Sequence, residues 1–288
     1  MAAHMKLRSV LAVSLFIAVP GSAAPVAPPP AAAKAFAPTR FSVQVIGSGP
    51  DVILIPGLTA SREVWRSTVA AVPGYRYHLI QVAGFAGAPA RGNARGEVVA
   101  PLAAEIARYI EANRLQRPAL VGHSMGGTLA MMVAARRPAA VGKVMVVDML
   151  PQPAGIVGSS ASGVRGLADA LRGLGATEEG RALIASAIRM FGNDQAENTN
   201  SDPDVVARAT HELALTDLTP ELPRIAAPLT VLYAAPDASR RQSADAAYRS
   251  AYAPRRGTRL IRVDGSGHMI MYDQPARFRA ALEEFLGG

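Results

Sequence analysis

An α/β fold, a mostly parallel sheet covered on both faces by helices, is what this sequence of 288 residues predicts. Three observations carry the prediction. Short apolar runs rich in β-branched residues alternate along the chain with stretches whose apolar residues recur at helical spacing, and strands joined through helices pair in parallel. Half of the residues are hydrophobic and 18% are charged, the composition of a packed globular protein and not of a disordered one. The length suits one large domain with a substantial core and leaves room for a leader.

Taken in order, Met1 to His4 precede a second methionine, Met5, and read as an appended leader. Lys6 and Arg8 then introduce an apolar run from Val10 to Val19, followed by Pro20-Gly21 and the small residues Ser22-Ala23-Ala24. This is the layout of a signal peptide, so residues 1–24 are assigned to leader and signal and the protein is expected to be periplasmic or secreted. The run is too short for a comfortable membrane span, and no stable membrane insertion is expected after cleavage. Residues 25–38 are almost entirely Pro and Ala and form an extended linker, which places the folded domain at 39–288.

Strands are expected at Phe41 to Ile46, Asp51 to Ile55, Tyr77 to Val82, Ala119 to Val121, Val144 to Val147, Leu229 to Tyr233 and Leu260 to Val263. Helical spacing marks Val99 to Asn113, Thr128 to Arg136, Ala238 to Ala253 and Pro275 to Leu286, where Phe278, Leu282 and Phe285 share one face. The stretch from Leu150 to about Leu222 breaks the alternation. It offers helical patterns at Val164 to Leu174, Arg181 to Met190 and Asp204 to Leu215 and no convincing strand. It reads as a helical cap, about 150–222, over the strand ends where ligands bind in such folds.

Several chemistries are excluded or disfavoured. Without cysteine there is no disulfide framework, no thiolate nucleophile and no Cys-based zinc site. The formal charge of +8 is scattered, with Arg136-Arg137 and Arg255-Arg256 the tightest groups, so a solvated basic surface is favoured over nucleic-acid binding. Neither a metal motif nor a phosphate-cradling glycine fingerprint is found, and no metal or cofactor is expected.

The strongest local signal is Gly122-His123-Ser124-Met125-Gly126-Gly127, directly after a strand and before a helix rich in Ala and Met. A serine on so sharp a turn is held in a strained conformation that its glycine neighbours tolerate, and its hydroxyl is exposed. The helix that follows aims free backbone N–H groups at the same place, with that of Met125 as the expected first oxyanion donor.

These residues resemble the α/β-hydrolase family, its serine esterase and lipase branch, over about Phe41 to Leu286. The resemblance implies an α/β-hydrolase fold with a helical cap insertion between the sixth and seventh strands. It implies a second oxyanion donor from the loop Ile55-Pro56-Gly57-Leu58-Thr59, the backbone N–H of Leu58, although Pro56 stands where the family often has His. It places the general base at His268, in Gly265-Ser266-Gly267-His268 after the last strand, and the third triad member at Asp237 after the penultimate strand. A known variant of the family takes the acid one strand earlier, where this chain has Asp148. Gly57, Trp65 and His123 are expected among the substrate-binding residues, Trp65 standing equally for a residue that packs a helix, and His123, turned away by the strained backbone, for one that packs beside the site. The family's Asp-x-x-Gly-x-Gly-x-Ser stretch is replaced by Gln81 to Pro89, which keeps glycines and loses the acid.

Serine at the elbow excludes the branches of the family with an aspartate nucleophile and leaves acyl chemistry. The expected function is hydrolysis of small-molecule carboxylic esters through an acyl-enzyme. The alternatives are a cofactor-free perhydrolase or haloperoxidase, an iminopeptidase-like hydrolase that would need a cap carboxylate such as Glu178, Glu179, Glu197 or Glu212, and a non-catalytic receptor on the same fold.

Overall fold

The computed structural model describes Met1 and residues 36–157, 173–174, 177–180, 183 and 200–288. Apart from Met1, the described residues all fall within one compact unit, Ala35–Gly288. The leader reading and nearly all of the linker reading fall outside the described residues.

Among the described residues seven strands form one sheet in the order β1-β3-β2-β4-β5-β6-β7. They are β1 (Phe41–Ile46), β2 (Asp51–Ile55), β3 (Arg76–Val82), β4 (Ala119–His123), β5 (Lys143–Val147), β6 (Leu229–Ala235) and β7 (Arg259–Asp264). Only β1 runs antiparallel, paired with β3; all other pairings are parallel. The described helices are α1 (Arg66–Ala71), α2 (Val99–Ala112), α3 (Met125–Arg136), α4 (Pro203–Leu215), α5 (Arg241–Tyr252), α6 (Ile270–Asp273) and α7 (Pro275–Gly287).

Alternation along the strands divides the core into two layers. Ile53, Leu120, Val144, Val146 and Val231 point to the side covered by α2, α3, α4 and α5. Val52, Leu54, Val121, Met145, Val147 and Leu232 point to the side of Trp65 and α7, where Phe278, Leu282 and Phe285 form the predicted face. Because side chains of successive strand residues leave the sheet on opposite faces, the near-continuous apolar runs read from the sequence are the mark of strands buried on both sides.

The insertion lies between β5 and β6, the fifth and sixth strands of this sheet, and not between a sixth and a seventh. The seven expected strands are the seven found among the described residues, and the stretch from Leu150 to Leu222 follows the fifth of them. Of its expected helices, the pattern at Asp204 to Leu215 is found as α4, while those at Val164 to Leu174 and Arg181 to Met190 lie largely outside the described residues. The start of α4 is well specified: Asp202 accepts hydrogen bonds from Asp204 N and Val205 N, and Pro203 follows it.

Backbone contacts fasten this end of the insertion to the glycine loop after β3. Asp202 N donates to Gly84 O (2.7 Å), and Gly87 N to Asn200 O (3.0 Å). Ala86 N donates to Ser201 Oγ at 2.9 Å. The loop that lost its acid is thus held by main-chain groups and by the side chains of Ser201, Gln81 and Asn93. Glu212, weighed as a holder of a substrate amine, instead accepts Val98 N and Val99 N at the start of α2, where free N–H groups favour a carboxylate.

Candidate active site

The centre of the sheet delivers the candidate residues. Parallel strands β4, β5, β6 and β7 all end on one edge, so the residues that follow them are neighbours although far apart in sequence. Ser124 follows β4 directly and stands at the N-terminus of α3 with φ +54° and ψ −124°, the strained turn expected of it. Its N–H donates to Val147 O (3.0 Å), and its carbonyl accepts from Gly127 N (2.8 Å) and Thr128 N (3.2 Å).

The glycines of the motif are there because the backbones touch. A Cβ on Gly122 would stand 2.1 Å from Gly126 O, and one on Gly126 would stand 2.2 Å from Ile55 O. Gly57 serves the site itself: a Cβ there would be 2.9 Å from His123 Nδ1 and 3.1 Å from Ser124 Cβ. The Gly57-Leu58 loop therefore lies against the serine on one side while α3 begins with Met125 on the other, and the two expected oxyanion donors belong to segments that both border Ser124.

The acid next to His268 is Asp148 and not Asp237. Asp148 Oδ2 lies 2.8 Å from His268 Nδ1. Asp237 is exposed and spends its carboxylate on its own turn, accepting from Ser239 N (2.8 Å), Ser239 Oγ and Arg240 N (3.2 Å). Hydrogen bonding by Ser239 is the main cause that holds the Asp237 carboxyl below the ordinary range. The physical reason for the correction is local: an Asp immediately before a helical turn finds nearer donors in that turn than across the site.

Asp148 has the unusual backbone that such a position needs. Its φ of +50° turns the chain directly after β5, a region in which Asp is among the more tolerant residues. Its N–H donates to Leu232 O (2.8 Å). Its second oxygen, Oδ1, accepts from Ala234 N (2.9 Å) and from the Tyr248 hydroxyl (2.9 Å). Burial pushes the carboxyl toward its neutral form, but the bonds and charge of His268, with the Ala234 N–H and Tyr248, outweigh it and keep Asp148 below the usual carboxylate range.

His268 is placed by its loop. Gly267 N donates to Asp273 Oδ2 (2.8 Å) at the end of α6, and Gln274 Nε2 donates to Gly265 O (2.8 Å). With Nδ1–H given to Asp148, Nε2 carries the lone pair, the tautomer a general base requires.

His123 packs beside the site, the orientation expected of a neighbour on the strained turn: it is buried, with Nε2–H donating to the His268 carbonyl (2.9 Å). The two rings are 4.7 Å apart. Burial, seconded by the neighbouring His268, lowers His123 to about 3, so it is neutral in the working range. Its Nδ1 has no hydrogen-bond partner among the described residues.

Trp65 is fully buried in the layer with Phe278, their ring centroids 6.1 Å apart. Of its two sequence readings, helix packing is the one found. Tyr248 and the Ala234 N–H were not foreseen. The available signal was the pair Tyr248 and Tyr252 on one face of an expected helix, because buried tyrosine hydroxyls need acceptors. Among the described residues no group of three His, Cys, Asp or Glu gathers as a metal site, and no helix is long and apolar enough to cross a membrane.

A model of the alpha/beta hydrolase family matches residues 52–281. A pimeloyl-[acyl-carrier protein] methyl ester esterase of Aeromonas hydrophila is 32% identical over 112 residues, 38% of this chain and 42% of the relative. The chain thus spans less than half the length of that curated relative. Two solved structures share the fold: an enol-lactonase from Burkholderia xenovorans (TM-score 0.68, 18% identity, 87% of this chain and 97% of that one) and an esterase from Exiguobacterium antarcticum (TM-score 0.68, 19% identity, 87% and 96%). At such identities the likeness speaks to fold alone.

Proposed function

The chain belongs to the alpha/beta hydrolase family, and from its site we propose that it is a serine hydrolase of carboxylic esters, with Ser124 as nucleophile, His268 as general base and Asp148 as the acid. The observation that carries this reading is the bond from His268 Nδ1 to the buried Asp148, together with a serine held at φ +54° at the end of the adjacent strand β4. A serine hydroxyl is a poor nucleophile at neutral pH, and an oriented imidazole with its Nε2 free is what activates it.

In the proposed cycle His268 takes the Ser124 proton as Oγ attacks the ester carbonyl. The oxyanion is held by the N–H groups of Met125 and Leu58, and the proton on His268 passes to the departing alcohol. Water, deprotonated by His268, then attacks the acyl-enzyme; collapse releases the carboxylic acid and returns the proton to Ser124. Asp148 stays ionised throughout and stabilises the imidazolium. An ester is favoured over an amide because an alkoxide is the easier group to expel. Glu212, engaged at the start of α2, weighs against an iminopeptidase-like use of that carboxylate.

The test is hydrolysis of p-nitrophenyl esters from acetate to palmitate by wild type and by Ser124→Ala. Turnover by the wild type, with a loss on the order of a millionfold in kcat for the variant, is the expected result. Equal inertness of both would favour a receptor role. For location we propose export, supported by Lys6 and Arg8 ahead of the apolar run Val10 to Val19; N-terminal sequencing of protein from the periplasm or medium should begin near Ala24.

A further inference from the structure

We propose that Tyr248 is a positioning residue for this triad: its hydroxyl holds Oδ1 of Asp148, so that Oδ2 alone is presented to His268. The inference rests on the Ser124, His268 and Asp148 reading and deepens it.

The two oxygens of Asp148 have separate tasks. Oδ2 faces His268 Nδ1 at 2.8 Å. Oδ1 takes the Ala234 N–H and the Tyr248 hydroxyl, both at 2.9 Å. An ionised carboxylate with only one donor on each side can turn about its last bond and share its charge freely; two donors on Oδ1 fix the plane and draw charge away from Oδ2. Tyr248 is buried, which raises its hydroxyl well above the ordinary value for tyrosine and keeps it a neutral donor.

The tyrosine is itself held on both sides. Its ring stacks on Tyr233 (centroids 4.4 Å apart, planes 17°) and lies parallel to Tyr252 (6.3 Å, 9°). Tyr252 donates to the carbonyl of Met149, the residue after the acid, at 2.6 Å. Tyr233 donates to Asp245 Oδ1 (2.7 Å) on α5, and Asp245 is paired with Arg262 of β7. The unit made of β6 and α5, whose connecting turn carries Asp237, thus supplies Asp148 with donors in place of an acid of its own.

The ionisable groups that face the pair are few. Around Asp148 stand His268, Tyr248, Tyr252 and the neutral His123; around His268 stand Asp148, His123 and, through its loop, Asp273. Removing the Tyr248 hydroxyl leaves more negative charge on the oxygen that faces His268 and lets the carboxylate turn. The imidazole then holds its proton to higher pH and is less well aimed.

The experiment measures kcat and kcat/KM against pH for the full chain with p-nitrophenyl butyrate, in wild type, Tyr248→Phe and Tyr252→Phe. Tyr248→Phe keeps the stacked ring and should lower kcat about tenfold at unchanged KM, with the acid limb displaced upward by about half a pH unit. Tyr252→Phe, which does not touch the carboxylate, should lower the melting temperature and leave the limb in place. Replacing Tyr248 with 3-fluorotyrosine, a stronger donor of nearly the same shape, should displace the limb the other way, and this carries the test if the Phe variant does not fold. An unmoved limb with kcat within twofold of wild type in the folded Phe variant, or no displacement with fluorotyrosine, overturns the proposal. Ser124→Ala and Asp148→Asn are run alongside. Full activity in Ser124→Ala would instead defeat the underlying hydrolase reading, whereas its inactivity together with an unaltered Tyr248→Phe would defeat the positioning role alone.

Discussion

Asp148 and His268 meet across 120 residues of sequence, Oδ2 to Nδ1 at 2.8 Å. The bond joins the turn after β5 to the loop after β7 and passes over the exposed Asp237, which lies after the strand between them. Asp148→Asn should therefore cost on the order of 10⁴ in kcat, the scale known for a triad acid replaced by its amide. Asp237→Asn should leave kcat within about twofold, as a surface substitution does, with a small fall in melting temperature from the weakened turn. Steady-state kinetics on the two purified variants decides between them.

Gly57 offers a second test, because the nearest neighbours of its missing Cβ belong to the site. Its missing Cβ would stand 3.1 Å from Ser124 Cβ and 2.9 Å from His123 Nδ1, so Gly57→Ala must push the loop away from the serine. A kcat lower by about 10²-fold is expected, the scale for displacing one oxyanion donor, with little change in melting temperature. Gly126→Ala is different in kind: its Cβ would strike the backbone oxygen of Ile55 at 2.2 Å. That substitution should destabilise the fold itself by about 3 kcal/mol, the upper end for overpacking, as measured by urea denaturation.

His123 makes stability depend on pH in a definite window. The folded protein holds it at about 3, while the unfolded chain titrates near the ordinary value of 6.5. Between those values the unfolded state binds a proton that the folded state does not, so this contribution is complete above about pH 6.5 and is lost as the pH falls. Its slope can reach about 1.4 kcal/mol per pH unit. Denaturation between pH 4.5 and 7 should show His123→Gln to have a flatter profile than the wild type, since glutamine can still donate to the His268 carbonyl and carries no proton to gain.

Trp65 separates packing from specificity. Its indole is fully buried and its Nε1 has no hydrogen-bond partner among the described residues, so Trp65→Phe loses contact area but no polar bond. The change should lower stability by about 1–3 kcal/mol, the range for a smaller ring in a packed core. The order of preference among p-nitrophenyl esters should stay the same. A changed chain-length preference would mean that the indole borders the acyl group after all.

What the sequence by itself determined was everything that rests on neighbouring residues and on periodicity. The seven expected runs became seven strands, the central β2, β4 and β5 apolar because both of their faces are covered and the edge strands β1 and β7 partly exposed, and Pro275 to Leu286 became a helix with Phe278, Leu282 and Phe285 inward. The elbow at Ser124 was legible for the same reason: two glycines whose backbones touch their surroundings leave few other conformations open. What only the tertiary structure decided was which partners meet. Asp148 and Asp237 both follow a parallel strand and both precede His268, so chain order could not choose between them. The choice was made by competing donors: Ser239 and Arg240 take Asp237 locally, while Ala234 N–H, Tyr248 and His268 surround Asp148 from three other segments. Trp65, read equally as a pocket or a packing residue, was decided likewise, by which side of its helical turn faces the core, a direction that composition and spacing do not encode. Local physics is written along the chain, whereas the allocation of hydrogen-bond partners among distant segments exists only once the sheet has brought their ends together.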